Sequence, residues 1–292
     1  MTSGTHPSDF HDGFKSFCHV KSSPLFLGGR RKSLYLHKIG GASAIGAHTQ
    51  WIIIAPIMKT VVLGDVHGRL IWKRIIEIES DADRIIFLGD YVSTHYMIPA
   101  SRQLKNLDDI LDYKEANSGK VFLLRGNHDM QHLGYPWGRC SGFDHNVAGR
   151  MPKERYLRLT QWAFIDDDSR NLYSHAGVSE VWMRRAGVTD VHGINAMPPS
   201  ELFGFSLADY PRDNYGTSPT QPPTWIRPDT LVECGVAGWN QIVGHTPMGR
   251  LYRRETVNGD SVWLCDALEE RQYLVVEDNA FTPKEVEPGV GE

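Results

Sequence analysis

Five times in this chain an apolar run breaks off and is followed at once by aspartate, asparagine or histidine beside a small residue. The five places are Gly64-Asp65-Val66-His67-Gly68, Gly89-Asp90, Gly126-Asn127-His128-Asp129, Ser174-His175-Ala176-Gly177 and Gly244-His245-Thr246-Pro247. The runs before them, such as Val61-Val62-Leu63, Ile85-Ile86-Phe87-Leu88 and Phe122-Leu123-Leu124, are short and continuously apolar. That is the pattern of strands buried on both faces. Between them, 70–80 and 100–116 carry apolar residues at helical spacing, among them Leu104, Leu107, Ile110 and Leu111. Strand and helix in alternation predict a layered α/β core. Further strands are expected at 171–175 and 241–245, a helix at 150–165, and a hairpin from 261–264 and 271–276 around Leu268-Glu269-Glu270.

Composition narrows the class. Hydrophobic residues make up 41% and charged residues 23% of 292, which excludes a wholly disordered chain. A bilayer span needs about 20 apolar residues. The longest apolar run, 51–58, is far shorter and contains Pro56, so no membrane partner is expected. A net charge of -4 offers no general attraction to long nucleic acid. Cys18, Cys140, Cys234 and Cys265 are widely spaced with no Cys-x-x-Cys, which argues against a zinc knuckle or disulfide scaffold and for a reducing, cytoplasmic setting. No secretory signal is visible. Residues 1–57 mix Gly, Ser, His and basic side chains without sustained period, and are expected to be a poorly ordered extension. Met58, directly before the first strand, is also a possible start of the protein. The main domain is expected over 58–285, with an irregular Pro-rich segment at 196–230 and a tail at 286–292.

In open α/β sheets ligands collect at the carboxyl ends of strands, so the residues that end these runs should converge. A single Gly-Asp after a strand is usually a turn, and a single histidine there is usually just hydrogen-bonded. Five in series point to a site. Carboxylate, amide carbonyl and imidazole donors together suit manganese, iron or zinc rather than calcium. Asp65 and His67 are two apart and can face one side. Asp90 has two carboxylate oxygens and can bridge two ions. Two cations about 3.5–4 Å apart form an arrangement that activates water for phosphoester hydrolysis.

The order Asp-x-His, Gly-Asp, Gly-Asn-His-Asp, His, Gly-His resembles the calcineurin-like metallophosphoesterases over about 58–278. It is nearest the Ser/Thr-phosphatase branch, with lambda-phage-type phosphatase and symmetrical diadenosine tetraphosphatase. The resemblance implies a four-layer αββα sandwich of two mixed sheets flanked by helices. It implies Asp65 and His67 as ligands of a first divalent metal, Asp90 as the bridge, and Asn127, His175 and His245 as ligands of a second. Manganese is the expected metal, with iron or zinc as alternatives. His128 is similar to the histidine that protonates the leaving oxygen, a role imidazole suits because it titrates near neutral pH. Arg125, before Gly126, resembles a phosphate clamp. Arg227, in Trp225-Ile226-Arg227, resembles a second, and a planar guanidinium can grip phosphate oxygens in pairs. The branch continues its Gly-Asp-x-Val with Asp-Arg-Gly, where this chain has Ser93-Thr94-His95. That removes one clamp and replaces the carboxylate that orients the histidine. The implied function is hydrolysis of phosphomonoesters, phosphoprotein or small ester, by a hydroxide held between the metals. A nucleotide phosphodiesterase or dinucleoside polyphosphate hydrolase, and a non-catalytic metal-bound scaffold, are the alternatives.

Overall fold

The computed structural model describes residues 21–27, 30–39, 50–54, 57–93, 98–134, 138–204 and 216–288. The chain divides into two compact units, 1–57 and 58–292. In the first, Lys21–Leu27 (β1), Arg30–Ile39 (β2) and Gln50–Ile54 (β3) form an antiparallel sheet in the order β1-β2-β3. The sequence suggested no regular element there. Cross-strand pairing, which no local period records, accounts for the difference. Pro24 is accommodated because β1 is an edge strand, where a missing N–H need not break a ladder.

In the second unit the first apolar run becomes Lys59–Leu63 (β4), followed by the helix Ile71–Ile78 (α1). Arg84–Phe87 (β5), Ala100–Ala116 (α2) and Val121–Leu124 (β6) continue the alternation. The short helices Asn127–Met130 (α3), His145–Ala148 (α4) and Lys153–Leu159 (α5) lead to Thr160–Gln161 (β7). Ala163–Asp166 (β8) and Asn171–Ser174 (β9) start another sheet. Then come Glu180–Ala186 (α6), Gly193–Ala196 (α7), a 3-10 turn at Glu201–Phe203, and Pro228–Cys234 (α8). Asn240–Val243 (β10), Tyr252–Glu255 (β11) and Ser261–Leu264 (β12) complete that sheet, and Gln272–Glu277 (β13) and Ala280–Glu285 (β14) return to the earlier one.

Two mixed sheets result, ordered β14-β13-β4-β5-β6-β7 and β11-β12-β10-β9-β8. The expected hairpin at 261–276 does not form. β12 and β13 lie in different sheets, and the true hairpins are β11 with β12 and β13 with β14. Side-chain alternation explains the continuously apolar runs. Val61 and Leu63 join Trp72, Ile75 and Leu107 in the core under α1 and α2. Val62 faces the other way, into a core with Ile86, Leu124, Tyr173, Ile242 and Trp263 drawn from both sheets. A small third cluster of Leu231, Val243, Val262 and Leu264 seats α8 on the β10–β12 face. Helix, sheet, sheet and helix are therefore stacked as expected for two mixed sheets flanked by helices. Strands β4, β5 and β6 run parallel, as do β9, β10 and β12, so each sheet turns a set of carboxyl ends in one direction. Among the described residues no helix is long and apolar enough to cross a membrane.

Candidate metal centre

The loops at these strand ends approach one another so closely that Gly126 and Gly244 leave no room for a side chain. A Cβ on Gly126 would lie 2.0 Å from Asp90 Oδ1, and one on Gly244 would lie 2.1 Å from Asp65 Oδ1. The backbone is held in the left-handed region at His67, Asp90, Ser93 and His245, with φ of 46°, 51°, 63° and 65°. Such conformations cost about 1–3 kcal/mol each and persist where surrounding bonds fix them. Here the fixing bonds cross between loops. His67 N–H donates to Asp90 O at 2.7 Å, His128 N–H to Asp90 Oδ1 at 2.9 Å, and His245 N–H to Asp65 Oδ1 at 3.0 Å.

The protons on two histidines can be placed from their partners. His175 Nδ1 is 2.8 Å from Leu88 O, and a carbonyl only accepts, so Nδ1 carries the proton. Burial holds His175 down to about 3, so the ring is neutral and Nε2 is a bare lone pair. Nε2 nevertheless faces two oxygens, Asn127 Oδ1 at 2.8 Å and Asp90 Oδ2 at 3.4 Å. His67 repeats the pattern. Its Nδ1 bonds to the carbonyls of Val92 and Ser93, and its Nε2 faces Asp65 Oδ2 at 3.8 Å and Asp90 Oδ2 at 4.0 Å. A histidine anchored through one nitrogen to a carbonyl, with the other aimed at carboxylates, is the usual setting of a metal ligand. His245 adds a buried Nε2 that makes no hydrogen bond, while its Nδ1 is 2.9 Å from Asn127 Oδ1. The amide nitrogen of Asn127 is turned away, to Cys140 Sγ at 3.3 Å.

Electrostatics points the same way. Burial, then the neighbouring Asp266, pushes Asp65 well above the usual carboxylate range, and burial and Asp65 do the same to Asp90. Among the described residues the ion-pair partners of Asp65 and Asp90 are histidines, with no lysine or arginine. Buried carboxylates without a cation are costly. Ligand atoms of Asp65, Asp90 and His175 lie within 4.8 Å of one another. Buried carboxylate and imidazole ligand atoms gathered this closely fit a divalent cation, and the donor set suits a first-row metal.

Asp65, His67, Asp90, Asn127, His128, Arg227 and His245 line a cleft of about 260 Å³, and His175 is buried behind it. Arg227 donates to Thr246 Oγ1 at 3.1 Å from its place before α8. Arg125 is a correction: it does not reach the cleft. Its guanidinium donates to Thr160 Oγ1 at 3.0 Å, Leu157 O at 3.0 Å and Thr160 O at 2.9 Å, and lies 4.4 Å over the Trp162 ring. The reason is strand parity. Leu124 faces the space between the sheets, so Leu123 and Arg125 face the α5 side. Ser93 Oγ donates at 3.3 Å to the His128 main-chain oxygen. Thr94 and His95 lie outside the described residues, as do 205–215 of the Pro-rich segment.

Sequence reasoning missed two carboxylates. Asp266 lines the cleft just beyond β12, and burial raises it to about 7. The run Val262-Trp263-Leu264-Cys265 before it, with Ala267 after it, is the signal that marks a sixth strand end. Asp129 was read only as part of a motif, yet it is fully buried and bonds both the Tyr91-Val92 and Gly126 backbones.

The profile of the calcineurin-like phosphoesterases matches residues 58–275. A probable serine/threonine-protein phosphatase of Encephalitozoon cuniculi is 26% identical over 169 residues, 54% of this chain and 35% of that protein. This chain thus spans about a third of that relative's length. Among solved structures, a cold-active protein tyrosine phosphatase is similar at 18% identity and a TM-score of 0.47, covering 87% of this chain and 90% of that one. A protein serine/threonine phosphatase from Saccharomyces cerevisiae follows at 15% and 0.46, covering 81% and 82%. With the profile matched along most of its length, the chain belongs to the calcineurin-like phosphoesterases, hydrolases of phosphoric esters.

Proposed function

We propose that the protein hydrolyses phosphomonoesters, of phosphoprotein or of small molecules, at a centre of two divalent cations. The observation that carries this is the convergence of His175 Nε2, Asp90 Oδ2 and Asn127 Oδ1 at one buried point. In this reading Asp65 and His67 would hold one cation, Asn127, His175 and His245 the other, and Asp90 would serve both. Manganese is the metal expected, with iron or zinc as alternatives. When bound, the pair supplies Lewis-acid chemistry: it neutralises phosphate charge and makes water nucleophilic near neutral pH.

The chain's own residues do the rest. Arg227 faces the cleft and offers paired N–H donors to non-bridging phosphate oxygens, which orients the ester. His128, beside the ligand Asn127, is within the cleft to serve the departing oxygen with a proton. Arg125 has no part in substrate binding; it braces the β6–β7 edge through Thr160. The cleft adjoins a wider groove of about 600 Å³, with Arg69 and Glu269 lining both. That room favours substrates larger than a simple phosphate ester, and keeps dinucleoside polyphosphates as a second reading. The free thiols of Cys140, Cys234 and Cys265 accord with the cytoplasm.

The test is metal analysis joined to a substrate panel. The protein loaded with manganese should carry two ions per chain, and Asp90→Asn should lower occupancy of both, read by mass spectrometry of metals. Phosphomonoesters, phosphodiesters, phosphopeptides and dinucleoside polyphosphates assayed in parallel would name the substrate class. One ion or none after loading would count against the dinuclear reading.

A further inference from the structure

The chain that follows His67 walls the groove of about 600 Å³ that adjoins the cleft. Gly68 and Arg69 lead into α1, whose approach and first turns supply Leu70, Lys73, Arg74 and Glu77 to one wall. Spaced three and four apart, these residues share one face. The opposite wall comes from Ile98 and Arg102 at the start of α2 and from the connection between β12 and β13. Arg69 and Glu269 line both the groove and the cleft, so the two are continuous.

The groove is basic in a chain that is acidic as a whole. Five cationic side chains line it against two carboxylates, an excess of three positive charges where the full chain carries -4. Arg69 pairs with the exposed Glu269 at 2.9 Å, and Arg74 with the exposed Glu77 at 3.1 Å. Such pairs at the surface are weak. Lys73 shares Asp109 with Lys105. Arg271 donates to the main-chain oxygens of Val286 and Glu287, which are neutral acceptors. Arg102 is exposed on the wall opposite α1.

A substrate that reaches from the cleft into this groove should therefore carry negative charge beyond its phosphate ester. A nucleotide polyphosphate and an acidic peptide both meet that condition, and the lining decides between them. None of the described residues lining the groove is aromatic, whereas bases are commonly held by stacking on aromatic faces. Its apolar surface is aliphatic: Leu70 is 49% exposed, and Ile71 and Ile98 line the groove as well. Aliphatic surface set among cations suits an extended polypeptide with carboxylate side chains. From Leu70 to Glu77 the helix rises about 10 Å, the length of about three extended residues.

We propose that this groove binds an acidic stretch of a substrate polypeptide, about three residues to one side of the phosphorylated one, with Arg74 and Arg102 meeting its carboxylates from the two walls. The inference rests on the reading of the cleft as a phosphomonoesterase site and narrows its substrates to phosphoproteins with acidic flanks.

The manganese-loaded full chain is given phosphoserine peptides with three glutamates, three glutamines or three lysines on either side of the phosphoserine. On one side glutamate should raise kcat/KM about 3- to 10-fold over glutamine, through KM, and lysine should lower it. Added salt should shrink the preference. Arg74→Glu with Arg102→Glu should cancel or reverse it and leave hydrolysis of nitrophenyl phosphate unchanged. Arg74→Gln with Arg102→Gln should cancel it, and serves if the charge reversal does not fold. The same peptides carrying a phosphonate that cannot be cleaved, followed by fluorescence anisotropy, read the groove without catalysis. There the acidic analogue should bind about 3- to 10-fold more tightly than the neutral one, and the same substitutions should remove the difference. Equal binding of acidic and neutral analogues overturns the inference, and so does a preference that survives both pairs of substitutions. A preference for diadenosine tetraphosphate over the acidic peptide, abolished by those substitutions, also overturns it and gives the groove to a nucleotide. If no ester is hydrolysed while the acidic phosphonate still binds through Arg74 and Arg102, the proposed function fails and the groove assignment stands.

Discussion

Asp129 ties together the two loops that carry Asp90 and Asn127, and its replacement by asparagine tests how the centre is held. One carboxylate oxygen receives Tyr91 N–H at 2.8 Å and Val92 N–H at 3.2 Å. The other receives Gly126 N–H at 3.3 Å and the Tyr156 hydroxyl at 3.2 Å. All four partners are donors, and Asp129 is fully buried. In Asp129→Asn one oxygen becomes NH2 and meets two donors whichever way the amide turns. The milder arrangement faces Gly126 and Tyr156, because the tyrosine hydroxyl can rotate and accept. Gly126 N–H is then left buried without a partner, and the Tyr156 bond is reversed. An unsatisfied buried donor costs about 1–3 kcal/mol, so with the poorer second bond we expect a loss of about 2–4 kcal/mol. Against an ordinary stability of about 5–15 kcal/mol the variant should still fold. Urea unfolding at pH 7, followed by tryptophan fluorescence on metal-stripped protein, measures the difference free of ligand linkage. Manganese affinity should fall as well, because the 90–92 and 126–128 backbones lose their common anchor. A loss under about 1 kcal/mol, with metal affinity intact, would show that the four bonds do not carry the junction.

Four further outcomes are expected. Gly126→Ala sets a Cβ 2.0 Å from Asp90 Oδ1 and 2.4 Å from Asp90 N, so manganese affinity should drop about 10- to 100-fold by calorimetry while the fold persists. Arg227→Lys should raise KM for phosphate esters with metal content unchanged, whereas Arg125→Lys should lower thermal stability and leave KM alone; the opposite assignment of effects would return Arg125 to the substrate. A chain beginning at Met58 should fold and bind metal, since every candidate ligand lies in the unit 58–292, and aggregation on expression would count against that boundary. Burial pushes Glu79 up, but hydrogen bonds from Lys284, Lys59 and Tyr273 outweigh it and hold the carboxyl at about 2 against an ordinary 4.5. A depressed carboxyl stabilises the fold above its unfolded value and loses that contribution as pH falls toward the folded one. Glu79→Gln should therefore cost about 1–3 kcal/mol at pH 7 and much less at pH 3, and a cost independent of pH would refute the ion cluster.

The candidate ligands stand out in the sequence because every part of their signal is local. An apolar run marks a buried strand, glycine marks a sharp and close turn, and Asp, Asn or His at the end is chemistry where parallel sheets gather ligands. Asp65, His67, Asp90, Asn127, His128, His175 and His245 needed only their immediate neighbours to be noticed, and the layered α/β class followed from the same runs. What lay outside local pattern was decided by tertiary structure. Arg125 stands one residue from Gly126, yet the pleat of β6 sends it to Thr160 and Trp162. Parity along a strand fixes relative faces, but which face meets the site depends on the sheet packed against it. β12 and β13 look like one hairpin in sequence and part into two sheets, because pairing depends on which edges are open. Asp266 came into view only through a neighbour distant along the chain, Asp65. Sequence names the groups able to do the chemistry; their protons, partners and directions come from contacts that only the folded chain makes.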